Sequence, residues 1–279
     1  MHTSPAYGDT ILLLGAGRMG SALLRGWLAH GIPAASITVI DPQPDKALEG
    51  LAVDTGFQLN PAEPGLADVL IVAVKPQLAA AAAQDMRARL GEHSLVVSIM
   101  AGKTLADLRQ LFPAAGGFVR AMPNLAAAVG RGATVLIADP SCRVEQAAQA
   151  ARLLAAVGEL EWLADETLMD VATAVSGSGP AYVFYLVECL TRAGIEAGLP
   201  PETAERLARA TIDGAGELLR QTSLPAAELR SNVTSPGGTT QAGLSVLMRD
   251  GRMEAIVSAT VAAAAARARD LGGVSLPAG

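Results

Sequence analysis

The most informative segment of this chain is Ile11-Leu12-Leu13-Leu14-Gly15-Ala16-Gly17-Arg18-Met19-Gly20. Its apolar residues predict a buried strand, a Gly-x-Gly-x-x-Gly pattern follows at once, and residues 21–29 predict an amphipathic helix. The first glycine allows a tight turn, the second lets backbone amides approach a pyrophosphate, and the third lets the helix pack closely on the strand. Phosphates would then lie at a helix N-terminus, which favours anions. We expect the pyrophosphate contacts to be Gly15, Gly17, Arg18 and Met19.

The next predicted strand, residues 37–40, ends in Asp41. A glycine-rich motif alone can be an ordinary turn, but an acid about 20 residues after the third glycine completes a dinucleotide-binding unit. The carboxylate would accept hydrogen bonds from the ribose hydroxyls and repel a 2'-phosphate, which favours NADH over NADPH. The alternative is that Asp41 merely starts the turn that Pro42 continues.

Short apolar runs separated by helix-like segments predict strands buried on both faces of a parallel sheet. The six runs are residues 11–14, 37–40, 69–74, 95–99, 118–122 and 134–138, with a helix over 143–157 and a possible further strand at 160–163. This order predicts a doubly wound α/β sheet of the Rossmann type, whose ligands bind at the carboxyl edge. Lys75 follows one strand there and is a candidate cofactor contact, although a Lys before Pro is often a solvated loop residue.

After about Asp165 the pattern changes to Ala- and Leu-rich helical periodicity. The predicted helices are residues 166–175, 181–197, 201–221, 240–249 and 251–271. We therefore predict a dinucleotide-binding domain over 1–164 and an all-helical substrate-binding and dimerisation domain over 165–279. A helical domain of this size buries a modest core by itself, so we expect a homodimer formed through it.

Composition excludes several other classes. The net charge of -6 and the absence of a Lys/Arg-rich run argue against a nucleic-acid partner. Cys142 and Cys189 stand in no metal-type spacing, so we expect neither a disulfide framework nor a metal site. The N-terminus lacks a secretory pattern and the apolar runs are too short for a membrane span. These features predict a cytoplasmic enzyme with no membrane partner.

The helical half contains no Lys and no His. Enzymes that act on alcohols and carbonyls generally need a positioned acid or base for the hydroxyl proton. An imine has less need of one, because a protonated iminium carbon accepts hydride directly. The absence therefore favours an imine substrate; the alternative is a base supplied by the first half.

Residues 232–240 concentrate hydroxyl groups and two adjacent glycines before a predicted helix. Backbone N–H groups of Gly238, Thr239 and Thr240, with the Ser235 hydroxyl, would form a clamp for a carboxylate. The alternative is a standard helix N-cap after a turn.

Five motifs give the chain a resemblance to pyrroline-5-carboxylate reductases over nearly its whole length. They are Gly15-Ala16-Gly17-Arg18-Met19-Gly20, Ala73-Val74-Lys75-Pro76-Gln77, Arg120-Ala121-Met122-Pro123-Asn124, Ser176-Gly177-Ser178-Gly179-Pro180-Ala181-Tyr182 and Val233-Thr234-Ser235-Pro236-Gly237-Gly238-Thr239-Thr240. The resemblance implies NAD(P)H-dependent reduction of the cyclic imine 1-pyrroline-5-carboxylate to L-proline, the last step of proline biosynthesis. It also implies an intertwined dimer that completes the substrate site, and larger assemblies of dimers occur in the family.

The resemblance assigns roles to individual residues. Ser235, Gly237, Gly238 and Thr239 would bind the substrate carboxylate, and Thr240, the expected catalytic residue, would place its hydroxyl on the ring nitrogen. The implied cofactor contacts are Asn60, Ala73, Val74, Lys75, Pro76, Ala101 and Asn124, the last beside the nicotinamide. The chain departs from the family pattern at Gly20, Asp41, Leu125, Ala126 and Leu224, where Ala, a small polar or basic residue, Thr, Pro and His are more usual.

Two other functions compete with this one. A two-domain hydroxyacid dehydrogenase would use a Lys in the helical half, which the chain lacks. A non-catalytic dinucleotide-sensing module would use the helical half for dimerisation alone. The polar segment from Ser235 to Thr240 argues against the second, because a dimerisation domain has no need of it.

Overall fold

The computed structural model describes residues 9–272. The chain divides into two compact units: the first contains the described residues up to Gly177 and those from Ala264 onward, and the second is Ser178–Ala263. The functional division predicted above, 1–164 for the dinucleotide and 165–279 for substrate and dimer, concerns ligands and partners and stays a prediction.

The first unit contains one eight-stranded sheet with the strand order β3-β2-β1-β4-β5-β6-β7-β8. Its strands are β1 (Ile11–Leu14), β2 (Ile37–Ile40), β3 (Gln58–Leu59), β4 (Val69–Val72), β5 (Leu95–Ser98), β6 (Gly117–Met122), β7 (Gly132–Ala138) and β8 (Gly158–Trp162). The first six strands run parallel, so their carboxyl ends share one edge. This is the order of a doubly wound dinucleotide-binding sheet.

The fold class predicted from the sequence is confirmed, with three differences in the sheet. β7 returns antiparallel to β6, so the sheet is mixed at this end. β3 has only two residues, too few for a periodicity to show. The possible strand at 160–163 is real and begins earlier, at Gly158.

Helices cover both faces of the sheet. They are α1 (Arg18–Ala29), α2 (Lys46–Thr55), α3 (Ala79–Met86), α4 (Leu105–Leu111), α5 (Val144–Ala155) and the single turn α6 (Met169–Ala172). Alternate residues of β1 enter two separate buried clusters, Leu13 with Trp27 on one face and Leu12 with Leu108 on the other. Burial on both faces is why the strand is apolar throughout rather than alternating.

The helix predicted over 166–175 is broken. A 3-10 turn (Glu166–Leu168) precedes α6, and a π-helical turn (Thr173–Gly177) follows it. The buried Arg120 guanidinium of β6 lies 2.9 Å from the Glu166 carboxylate, which also accepts the backbone N–H of Leu105 at 2.9 Å. A second carboxylate, that of Asp170, lies 3.9 Å from Arg120. These ion pairs and the hydrogen bond hold the segment that contains Glu166 and Asp170 against β6 and the start of α4.

The second unit is helical, as predicted. It contains α7 (Gly179–Glu196), α8 (Pro201–Gln221), α9 (Ala226–Asn232), α10 (Thr239–Leu247) and the first part of α11 (Arg252–Gly272). The prediction for 201–221 is confirmed at both ends, whereas the short α9 was not predicted. Within residues 9–272, no helix combines the length and the apolar character that crossing a bilayer requires.

Candidate active site

The glycine loop between β1 and α1 is held by backbone contacts. Gly15 has φ +91°, donates its N–H to the Ile40 carbonyl at 2.8 Å, and lies so close to β4 that an added Cβ would stand 2.9 Å from the Ala73 oxygen. Gly20 faces the same loop, and an added Cβ there would overlap the carbonyl oxygen of Gly15. Two of the three motif glycines are therefore required by the protein's own packing.

Gly17 is different, because an added Cβ at this position meets no atom within 4 Å. It is the N-cap of α1 in extended backbone, and no side chain caps the helix, so the first-turn amides of Arg18 and Met19 have no side-chain acceptor. Open space in front of uncapped helix amides is what a pyrophosphate group requires. The residues present therefore fit a dinucleotide.

Asp41 is bound to this loop. One carboxylate oxygen accepts the Ala16 N–H at 2.7 Å and the other accepts the Gln43 N–H at 2.9 Å. Asn60, at φ +48°, clamps the same strand end by exchanging two hydrogen bonds with the Asp41 backbone, at 2.9 and 2.7 Å. A carboxylate has about four acceptor positions, so Asp41 can hold the loop and the turn and still accept bonds from a ribose.

The other predicted cofactor residues lie at the same carboxyl edge. Ala73 and Val74 follow β4, the exposed Lys75 precedes the 3-10 turn that Pro76 begins, and Ala101 follows β5. The sheet thus brings together the ends of β1, β2, β4, β5 and β6, as parallel strands must.

Asn124 follows β6 and is nearly buried. Its amide donates to the Ser176 carbonyl at 3.0 Å and its oxygen accepts the Ala133 N–H at 3.2 Å. Both polar ends of the side chain therefore bind the protein's own backbone and fix the π-helical turn to the sheet. Asn124 is also predicted to lie beside the nicotinamide. Any contact there would come from this already hydrogen-bonded side chain or from the neighbouring backbone.

The polar segment before α10 begins with a tight turn. Gly238 donates its N–H to the Ser235 carbonyl at 3.0 Å, and Gly237 has φ +70°. Pro236 precedes this positive-φ glycine, as in a type II turn. An added Cβ on Gly238 would overlap the Ser235 hydroxyl oxygen, so the second glycine lets that hydroxyl lie against the N-cap of α10.

Hydrogen bonding separates the donors of this segment into occupied and open groups. The Gly238 N–H is used within the turn, and the Gly237 N–H donates to the Gln241 side-chain oxygen at 2.6 Å. In the described part of the chain the hydroxyls of Ser235, Thr239 and Thr240 have no partner, and no side chain caps α10. The backbone N–H groups of Thr239 and Thr240 at the start of α10 are therefore open to an anion, while the glycines contribute shape.

Comparison with known proteins identifies the family. The family model for pyrroline-5-carboxylate reductase dimerisation matches residues 166–271, and that for coenzyme F420-dependent NADP oxidoreductase matches residues 10–102. The pyrroline-5-carboxylate reductase of Pseudomonas aeruginosa is 40% identical over 264 residues, which cover 94% of this chain and 96% of the relative. The chain belongs to the pyrroline-5-carboxylate reductase family.

Further relatives and solved structures agree with this membership. The Arabidopsis thaliana pyrroline-5-carboxylate reductase is 36% identical, with 96% of this chain and 97% of the relative covered. The solved Coxiella burnetii enzyme superposes with a TM-score of 0.89 at 32% identity, covering 95% of this chain and 99% of that one. The Plasmodium falciparum enzyme, solved with NADP bound, gives 0.78 at 26% identity, covering 96% and 99%.

The positions that depart from the reductase pattern have different surroundings. Gly20 supports the tight glycine loop. Leu125 and Ala126 begin a 3-10 turn (Leu125–Val129) after Asn124, and Leu125 is half exposed. Leu224 is partly exposed between α8 and α9. Nothing in the structure explains the leucine at 224.

Sequence reasoning missed one side chain of this reductase's polar segment, Gln241. Its signal was present, because Gln at the third helical position often reaches back to the residues before a helix. Here it binds the N–H of Gly237, one residue before the N-cap Gly238. The side chain thus belongs to the turn that presents the open donors.

Proposed function

We propose that the protein reduces 1-pyrroline-5-carboxylate to L-proline with NAD(P)H, as the last step of proline biosynthesis. The observation that carries the proposal is the group of open donors at Ser235, Thr239 and Thr240 in a chain of this reductase family. The experiment is a spectrophotometric assay with the imine and each reduced cofactor. Reduction of the imine with either NADH or NADPH supports the proposal. Absence of reduction with each of the two cofactors refutes it.

When bound, the reduced nicotinamide supplies the hydride. In the proposal, the open amides of α1 beside Gly17 hold the pyrophosphate and Asp41 holds the adenosine ribose. The remaining contacts come from Asn60, Ala73, Val74, Lys75, Pro76, Ala101 and Asn124. All these residues belong to the sheet unit, whose architecture suits a dinucleotide.

The substrate is held by residues of the helical unit. The amides of Thr239 and Thr240 and the Ser235 hydroxyl bind the carboxylate, and Gly237 and Gly238 leave room for it. The Thr240 hydroxyl hydrogen-bonds the ring nitrogen and orients the imine. An iminium arrives with its proton, so the lack of Lys and His after residue 164 is no obstacle. The same lack disfavours a Lys-dependent hydroxyacid dehydrogenase.

We further propose that Asp41 makes NADH the preferred cofactor. Replacing Asp41 with Ser should improve kcat/KM for NADPH relative to NADH several-fold, because a charge repulsion across ~4 to 6 Å in a solvent-exposed site, where the dielectric is close to that of water, is on the order of 1 kcal/mol. Asp41→Asn should act in the same direction while retaining an oxygen that can accept the Ala16 N–H.

The control for Asp41 is Asp54→Asn, which removes a charge from an exposed position on α2. It should leave the cofactor ratio unchanged. An unchanged ratio in both Asp41 variants would mean that this carboxylate serves only the Ala16 and Gln43 amides.

We propose a homodimer formed through the helical region. This region matches the dimerisation model and leaves large apolar side chains exposed on its helices, among them Phe184, Leu207, Leu218 and Ile256. Patches of this kind mark interaction surfaces. A larger assembly of dimers and a cytoplasmic location are further parts of the proposal; the two unpaired cysteines suit a reducing compartment.

Light scattering at micromolar concentration should give the mass of a dimer. Phe184→Glu should shift the protein towards monomer, because it would bury a charge in an apolar interface. Val53→Glu alters an equally apolar and more exposed position on α2 and should leave the dimer intact. A wild-type protein that is only monomeric would contradict the proposal.

A further inference from the structure

Gln241 connects two parts of the segment that presents the open donors. It lies in the first turn of α10, and its side-chain oxygen accepts the N–H of Gly237 at 2.6 Å. In a type II turn the third residue's N–H is not used by the turn itself, since the closing bond comes from the fourth residue, here Gly238 to Ser235. Gln241 therefore accepts a hydrogen bond from the Gly237 N–H, which the turn itself leaves without an acceptor.

We propose that Gln241 is a positioning residue that fixes this turn for recognition of the substrate carboxylate. The inference rests on the function proposed above. Gly237 and Gly238 are adjacent, and glycine has the largest backbone freedom of any residue, so the turn has little intrinsic rigidity. The bond from Gly237 to Gln241 restrains it, and with it the Ser235 hydroxyl that lies against Gly238. The restrained turn holds the Ser235 hydroxyl against Gly238, the N-cap of the helix that begins with Thr239 and Thr240.

The neutrality of Gln241 matters as much as its length. A glutamate would accept the same N–H, and the positive N-terminal end of the α10 dipole would stabilise its negative charge. It would, however, place a negative charge beside donors that must receive an anion. Glutamine supplies the acceptor without that repulsion.

The test compares Gln241→Met, which keeps the length and loses the acceptor, with Gln241→Glu, which keeps the acceptor and adds a charge. We expect Gln241→Met to raise KM for pyrroline-5-carboxylate about 5- to 10-fold, as for one lost hydrogen bond, with kcat and KM for NADH nearly unchanged. Gln241→Glu should raise the same KM at low salt and approach the wild-type value as salt screens the charge.

Gln110→Met makes the same substitution at an exposed position of α4 and should change none of these constants. A wild-type KM in Gln241→Met, or equal losses for imine and cofactor, would overturn the inference. Should that variant fail to fold, the Glu variant decides: a KM raised equally at all salt concentrations would overturn it. Wild-type protein without any imine reduction would instead refute the proposed function itself.

Discussion

Replacing Gly17 with Ala should weaken NADH binding about 10- to 100-fold, or roughly 1.4 to 2.7 kcal/mol, while the protein stays as stable as the wild type. The backbone at Gly17 has φ -62°, which any residue adopts, and the added methyl group meets no protein atom within 4 Å. It would instead fill the space before the α1 amides where the pyrophosphate is proposed to lie. Fluorescence titration with NADH and a thermal melt measure the two effects.

Two other glycines make this experiment specific. Gly15→Ala should lower the stability of the fold itself, because φ +91° and the Ala73 oxygen at 2.9 Å oppose a side chain. Gly50→Ala, on the exposed face of α2 with no atom within 4 Å of the added group, should leave both stability and affinity intact or slightly raise stability. Wild-type NADH affinity in Gly17→Ala would show that the pyrophosphate does not approach this residue.

Thr240→Ala should lower kcat/KM for pyrroline-5-carboxylate by roughly 10- to 100-fold. The expected loss is that of one positioned hydrogen bond to a charged or charge-developing group, about 1.5 to 3 kcal/mol. The Thr240 hydroxyl has no partner within residues 9–272, so its removal leaves no protein group unsatisfied. Steady-state kinetics with the imine varied at saturating NADH give the value.

Thr240→Ser should retain most activity, because the hydroxyl survives. Thr211→Ala removes a hydroxyl that donates to the Leu207 carbonyl of its own helix, and it should leave catalysis unchanged. The affinity for NADH should be the same in all three variants. Full activity in Thr240→Ala, or equal losses in turnover and NADH affinity, would contradict the hydrogen bond proposed between Thr240 and the imine nitrogen. Ser235 or a carboxylate such as Glu188 would then be the better candidate.

The sheet was predictable from sequence because burial on both faces gives uninterrupted apolar runs such as Ile11–Leu14. Hydrophobic pattern did not predict the structural features that depend on contacts distant in sequence or that span very few residues. β3 is a two-residue edge strand, and the antiparallel return of β7 depends on pairing across the sheet. The break after Glu166 follows from a tertiary charge contact with Arg120, which no helical periodicity reveals.

For the candidate site, strand spacing and the family resemblance together named the expected residues, but not which of their polar atoms are already used. Asp41 was predicted to bind a ribose, and the structure shows its carboxylate bound to the Ala16 amide. Gly238 was expected to donate to the substrate, and its N–H instead closes a turn. Asn124 is occupied in the same way by backbone partners. Hydrogen-bond use depends on three-dimensional placement, so the sequence alone could not supply it.

The proposed reaction transfers hydride from a nicotinamide to the imine carbon of pyrroline-5-carboxylate. The most direct measurement uses reduced cofactor carrying deuterium at the transferred position and analyses the product by chiral chromatography and mass spectrometry. We expect L-proline with a single deuterium on the ring carbon that was double-bonded to nitrogen. Cofactor oxidation without proline, or proline without the label, would contradict it.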